Sequence, residues 1–290
     1  MDLPIIVGVD GSEPSLRAVD WAADEAALRG VSLRLVYASL WERYEGALDA
    51  QELGKPIEEV MALDVVGTAR DRAQCRHVGV DVTTDVLPKE PEVGLVDESG
   101  TALAVVLGCR GRNRMAEALL GSVSLAVAGH AYCPVIVLRG SQDNRASPGT
   151  RGRIVLGVGE KSTGSAAAQF AIEEAVLRGV PLDAVRAWRR PAHTATGNTL
   201  LVGEPAHFEE RQAVEALEEV LRGAPADLEV NRRTVEGHAR DVLIAASREA
   251  DLLVVGARRR HGHAGLRLGP VSRNVLHHAV CPVAVVPESS

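Results

Sequence analysis

A chain of 290 residues, 46% hydrophobic and 24% charged, has room for two domains with separate cores. Its net charge of −7 opposes wholesale binding to DNA, RNA or acidic lipid, and 3% aromatic residues are too few for a platform that stacks single-stranded bases. No apolar run is long enough to cross a bilayer, and Cys75, Cys109, Cys133 and Cys281, without a C-x-x-C spacing, read as reduced thiols in a cytoplasm. The opening, Met1 to Val7, has no basic segment and runs into Gly8-Val9-Asp10, so it reads as a strand and not as a signal peptide. From there, short apolar runs alternate with helical patterns. Strands are expected at 5–9, 32–38, 81–87, 103–108 and 135–138, and helices at 13–29, 57–77, 92–99 and 121–131. The first helix has start signals in Ser12 and Pro14 and a stop in Gly30. Further on, strands are expected at 154–158, 182–188, 227–235, 252–255 and 283–286.

The second set repeats the first. Ala27-Leu28-Arg29-Gly30-Val31 returns as Val176-Leu177-Arg178-Gly179-Val180, an offset of 149. Val105-Val106-Leu107-Gly108 returns as Leu253-Val254-Val255-Gly256, and Cys133-Pro134-Val135-Ile136-Val137 as Cys281-Pro282-Val283-Ala284-Val285, both at 148. One spacing in three places means a duplicated domain. The polar, Gly/Ser/Pro-containing stretch from Arg139 to Gly152 reads as a linker, giving domains at 1–140 and 153–290 with 141–152 between them. Five strands alternating with helices predict, in each domain, a doubly wound α/β fold with a parallel sheet. Ligands of such folds sit at the carboxyl ends of strands where strand order reverses.

Chemistry concentrates after the fourth strand. Gly108 to Ser124 follows the pattern G-x2-G-x9-G-S. Gly108 and Gly111 are expected to allow positive φ and a close approach of backbone N–H groups to an anion. Gly121-Ser122 opens a helix whose N–H groups and positive dipole end face the same point. Ser122 and Ser124 add hydroxyls, and Arg110, Arg112 and Arg114 add positive charge. The arrangement suits a nucleotide phosphate.

With this loop, the opening Val7-Gly8-Val9-Asp10-Gly11-Ser12 and the closing Cys133-Pro134-Val135-Ile136-Val137, the sequence resembles the universal stress protein family in its tandem form. The resemblance covers nearly the whole chain, twice. It implies strand order 3-2-1-4-5 in each domain and pairing of the domains through their fifth strands. It implies ATP, alone or with Mg2+, as ligand. The contacts would come from Asp10 near the nucleoside, Ala38 at adenine, and Gly108, Gly111, Gly121, Ser122 and Val123 at the phosphates, with Arg110 and Ser124 beside them. It further implies a cytoplasmic homodimer that regulates the stress response through a protein partner.

Departures from the family pattern are informative. Lys89 stands where the family has glycine, while the second copy keeps that glycine as Gly237. In the second copy Asp10 becomes Gly159, Gly111 becomes Arg259, and Ser122 becomes Pro270, which removes an N–H and a hydroxyl. ATP is therefore expected mainly in domain 1. The loop offers Glu117 as its one carboxylate and no histidine, so a slow ATPase is the enzyme alternative and a ligand-free protein scaffold the third. Gly157 to Thr163 fails as a phosphate loop because Glu160 precedes Lys161. Arg258-Arg259-Arg260-His261-Gly262-His263 reads as a solvated basic loop, and His277 and His278 sit at a helix end where the dipole favours imidazolium.

Overall fold

The computed structural model describes residues 3–40, 57–109, 120–139, 152–159, 165–189, 204–258 and 268–288, and the statements below concern these. Residues 141–151 of the expected linker lie outside them.

The first half runs β1 (Ile5–Gly8), α1 (Glu13–Arg29), β2 (Leu33–Ala38), α2 (Ile57–Arg76), β3 (Val82–Leu87), α3 (Pro91–Glu98), a 3-10 turn (Ser99–Thr101), β4 (Ala104–Gly108), α4 (Ser122–His130) and β5 (Val135–Leu138). The second runs β6 (Ile154–Gly157), α5 (Ala166–Arg178), β7 (Leu182–Trp188), α6 (Glu204–Val220), β8 (Val230–Glu236), α7 (Ala239–Ala246), β9 (Leu252–Arg258), α8 (Pro270–His278) and β10 (Val283–Glu288). Among the described residues no helix is long and apolar enough to cross a membrane.

The strands join in one 10-stranded sheet, ordered β3-β2-β1-β4-β5-β10-β9-β6-β7-β8. Each half has the expected 3-2-1-4-5 order. All neighbours are parallel except β5 and β10, which meet antiparallel with Ile136 opposite Ala284 and Val135 opposite Val285. Ile136 and Ala284 are equivalent residues of the two copies, so the junction is a local two-fold. Continuously apolar strands demand cover on both faces, and the pleat divides their side chains between two cores. Ile136, Leu138, Ala284 and Val286 join α1, α2, α5 and α6 in one core. Val135, Val137, Val283 and Val285 join α3, α4, α7 and α8 in the other. Both cores run across the junction of the domains.

Helix ends follow the sequence signals. The Ser12 hydroxyl accepts from the N–H of Ser15 at the start of α1, and Gly30 ends it at φ 67°. Ser165 and Gly179, at φ 62°, do the same for α5. Glycine adopts this left-handed conformation without steric cost. β9 and β10 extend further than the apolar runs implied, pairing out to Arg258 and Glu288. Pro287 is tolerated because β10 pairs with β5 only through Val283–Val285, leaving one side of Pro287 without a ladder.

A buried charge cluster bridges the domains. Glu25 and Arg29 of α1 meet Glu174 and Arg178 of α5. Each guanidinium donates to both carboxylates: Arg29 to Glu25 and Glu174, and Arg178 to Glu174, at 2.8 Å through Nε, and to Glu25. Arg178 also lies over the Trp21 ring and Arg29 over Phe170, 5.6 and 5.8 Å from the ring centroids. A third link has no symmetric counterpart. Arg139, beyond β5, donates to the carbonyl oxygen of His277 near the end of α8, where the dipole favours a cation. His277 itself is held below its ordinary range by burial and by Arg139, so the imidazolium expected at this helix end is disfavoured.

Candidate functional site

In the order 3-2-1-4-5 the connections from β1 and β4 leave in opposite directions, which opens a crevice at their carboxyl ends. Three segments converge on that crevice in domain 1. The first follows β1. Asp10 accepts from the Ser12 N–H at 3.0 Å and from the Ser12 hydroxyl at 2.6 Å. That contact orients the hydroxyl to cap α1, so Asp10 buttresses the helix start through Ser12.

The second segment is the end of β4. Gly108 does not adopt positive φ, contrary to the expectation for this loop; the described positive-φ glycines are Gly11, Gly30, Gly152, Gly179 and Gly237. Its missing side chain serves packing. A Cβ there would stand 2.6 Å from the backbone carbon and oxygen of Pro14. Glycine thus lets the first turn of α1 close directly onto β4.

The third segment opens α4. Gly121 is its N-cap, and no side chain caps the first-turn N–H groups. Gly121 donates to the Cys109 carbonyl at 2.8 Å, holding the two ends of the intervening loop together. The Ser122 hydroxyl faces Glu92 Oε1 at 3.4 Å. The Ser124 hydroxyl is buried and donates to the Gly108 carbonyl at 2.7 Å, where it fastens α4 to β4. Val123 packs on the core beneath.

Ala38 ends β2 against α3, and a Cβ on Gly94 would lie 3.5 Å from Ala38 Cβ and 3.6 Å from Lys89 Cβ. Lys89, in the family's glycine position, sends its ammonium to Asp97 at 2.7 Å. Arg110, Gly111, Arg112, Arg114 and Glu117 lie outside the described residues, as do Arg259 to His263 of the second copy.

Domain 2 keeps the frame and changes the chemistry. Ser272 donates to the Gly256 carbonyl as Ser124 does to Gly108. But α8 has Pro270 in its first turn, so one N–H is missing there. At the other side of this crevice, Glu288 accepts from Ser165, Ala166 and Ala167. Cys133 and Cys281 are buried, and burial pushes the Cys133 thiol up to about 12. Among the described residues no group of three or more His, Cys, Asp or Glu is placed to hold a metal ion.

Glu92, Glu288 and the Glu25/Arg29/Glu174/Arg178 cluster were not legible as site or interface residues. One signal was present for the cluster. Trp21, Glu25 and Arg29 recur as Phe170, Glu174 and Arg178 at the repeat offset of 149, so both copies keep a charge pair and a ring in register.

Comparison with known proteins fits this architecture. The Universal stress protein family model matches residues 3–139 and 150–287. The universal stress protein Rv2623 of Mycobacterium tuberculosis is 33% identical over 307 residues, spanning 99% of this chain and 97% of its own length. Rv1996 of the same organism is 32% identical, spanning 98% and 95%. A universal stress protein from Archaeoglobus fulgidus has the same fold, with TM-score 0.71 at 17% identity over 99% of this chain and 98% of its own.

Proposed function

The chain belongs to the universal stress protein family, and from that premise we propose that domain 1 binds ATP as the regulatory ligand of a stress-response module. The observation that carries the reading is the glycine-capped start of α4. Its first-turn N–H groups have no side-chain acceptor, and the helix start lies beside Gly108 and Cys109 at the end of β4. Such a helix end, at the point where strand order reverses, suits phosphate. Asp10 and Ala38 flank the crevice where the nucleoside would lie, and Gly108, Gly121, Ser122 and Val123 line the phosphate side. Arg110, Gly111 and Ser124 complete the set, Ser124 by holding α4 to β4. Glu92, beside Ser122, is the carboxylate that would meet a Mg2+ ion accompanying the phosphates.

Domain 2 serves as a structural partner and takes no nucleotide. Gly159 offers no carboxylate to a nucleoside, and Pro270 has no N–H to offer. Loss of two charge-assisted hydrogen bonds costs about 3 kcal/mol or more, above a hundredfold in affinity. In this reading the protein works in the cytoplasm as a homodimer, and a partner protein reads the ATP-bound state. Calorimetric titration with ATP is expected to give a stoichiometry near one per chain. A value near two would overturn the assignment to domain 1, and no binding at all would overturn the nucleotide reading.

A further inference from the structure

We propose that the outer edge of domain 2 is the homodimer surface: β8 pairs antiparallel with β8 of a second copy, about a two-fold axis at Thr234. The proposal rests on the homodimer reading above and names its surface, and its test is independent of ATP.

The order of the sheet leaves β3 and β8 as its outer strands, and among the described residues neither pairs with a strand on its outer side. The bonds of β8 to its inner neighbour show which backbone groups face outward. The Leu182 N–H donates to the Glu229 carbonyl at 2.9 Å, and the Gly237 N–H donates to the Trp188 carbonyl at 2.8 Å. Backbone groups alternate along a strand, so Asn231, Arg233 and Val235 also turn to β7. Val230, Arg232 and Thr234 therefore turn their N–H and C=O groups to the open edge. Antiparallel pairing about a two-fold needs outward-facing residues opposite one another. A centre at Thr234 meets that condition: Thr234 faces Thr234, and Arg232 of each copy faces Glu236 of the other.

The side chains suit that register. Arg232 and Glu236 are exposed, and the pairing sets these opposite charges directly across the strands twice. The helix above repeats the pattern. Arg211, Val214 and Glu218 recur at i, i+3 and i+7 on α6, and all three are exposed. Val214 is 40% exposed, whereas Val66, its counterpart at the offset of 148, is 3% exposed. Arg72 and Arg76 of α2 reach Asp20 and Asp24 of α1, and Val66 precedes Arg72 by six residues, which places it on the other flank of the helix. By the repeat, Val214 lies on the flank of α6 nearer the outer strand. A two-fold there brings Val214 against Val214, and Arg211 of each copy toward Glu218 of the other. The junction of β5 and β10 already uses this plan, with reciprocal Glu/Arg pairs between α1 and α5 over an antiparallel strand pair. The edge β3 differs at the corresponding position. Pro88 stands where β8 has Glu236, so that edge ends in a residue without an N–H, which blunts pairing.

The test is sedimentation velocity of the full chain across a concentration series. Wild type is expected to be a dimer that dissociates on dilution. Arg232→Glu sets like charges across the axis twice and is expected to raise the dissociation constant about tenfold or more. Adding Glu236→Arg to it restores opposite charges in exchanged places and is expected to recover association to within about threefold of wild type. Thr234→Pro removes an N–H that serves the partner and not β7, so it should weaken the dimer as well, whereas Thr84→Pro on the other outer edge should leave it intact. Should Thr234→Pro not fold, the charge exchange decides alone. A dimer unaffected by Arg232→Glu, or a loss that Glu236→Arg does not recover, overturns this surface and leaves a homodimer through another face. A wild type that is monomeric at every concentration overturns both, and species that grow beyond the dimer overturn the closed two-fold. Absence of ATP binding would overturn the nucleotide reading and leave these outcomes unchanged.

Discussion

Gly121 shows how a single position can favour a helix and a ligand at once. Its φ of −67° and ψ of 151° suit any residue, so glycine is not there for its backbone freedom. Aspartate is a preferred N-cap, better than glycine by roughly a few tenths of a kcal/mol. Gly121→Asp should therefore keep α4 and place a carboxylate on the N–H groups that phosphate requires. ATP affinity is expected to fall at least tenfold, about 1.4 kcal/mol or more, with an unchanged circular dichroism spectrum. Full ATP affinity in the folded variant would refute the phosphate cradle. Glu92 tests the same point from the opposite side. Like charges about 4 Å apart repel by about 1–4 kcal/mol between bulk water and a protein surface, so Glu92→Gln should tighten ATP binding three- to tenfold when metal is chelated. Weaker binding would show that Glu92 helps the ligand. The sequence conveyed the glycine spacing of this site because the loop is local. It did not convey Glu92, which reaches Ser122 from 30 residues away, nor the packing role of Gly108, which depends on the approach of α1.

Between elements, the largest unread feature is the contact of α1 with α5. Glutamate and arginine four residues apart on a helix read as a solvated surface pair. Here Glu25, Glu174 and Arg178 are buried because a second helix supplies the reciprocal charges. Removing one member leaves an uncompensated charge in a dry site, which costs about 3–5 kcal/mol, whereas replacing the whole set by apolar residues is often neutral. Arg178→Ala is therefore expected to be severely destabilising in urea melts. The combination of Glu25→Leu, Arg29→Met, Glu174→Leu and Arg178→Met should lie within about 2 kcal/mol of wild type. The loss in Arg178→Ala should also depend on pH. Burial, and then the charge of Glu174, push the Glu25 carboxyl up to about 7, while burial of Glu174 is outweighed by Arg178 and Arg29, which hold it low. A raised carboxyl contributes stability below its unfolded value and loses it as pH rises through the folded one. At pH 8 two carboxylates then face the one guanidinium of Arg29, and at pH 5.5 one of them is protonated. The destabilisation should be smaller at pH 5.5 by about 1 kcal/mol or more. Asp24 acts outside this window. Burial raises it, but Arg76 and His77 outweigh burial and hold it low, so its contribution is lost only in stronger acid. A cost for Arg178→Ala below about 1 kcal/mol, or one larger at pH 5.5 than at pH 8, would refute this account.

Across the whole molecule, two domains become one object because each ends in an apolar strand that cannot remain bare. That much was legible: β5 and β10 are short, continuously apolar and last in their copies, and an unpaired edge of that kind seeks a partner. The asymmetry of the junction was not legible, because it depends on which side chains meet. Ile136 faces the smaller Ala284, and Arg139 reaches His277 while its own counterpart at the repeat offset is Pro287. Backbone pairing about a local two-fold, however, treats both copies alike. Domain 1 expressed alone, as residues 1–139, should therefore pair its β5 with β5 of a second copy, with Ile136 now facing Ile136. The substitute junction brings two larger residues together and loses the Arg139 clasp, so it should be weaker than the native one. It would keep the charge alternation, because Glu25 and Arg29 of one copy can take the places of Glu174 and Arg178. Light scattering across a concentration series is expected to show a dimer that dissociates on dilution. Ile136→Lys, which sets two cations face to face at the centre of the strand pair, should abolish that dimer and leave an aggregation-prone edge. In the intact chain the same substitution should destabilise without separating the domains, because the linker keeps them at high effective concentration. A domain 1 fragment that is monomeric and soluble at every concentration would show that the edge is protected by something other than its pairing.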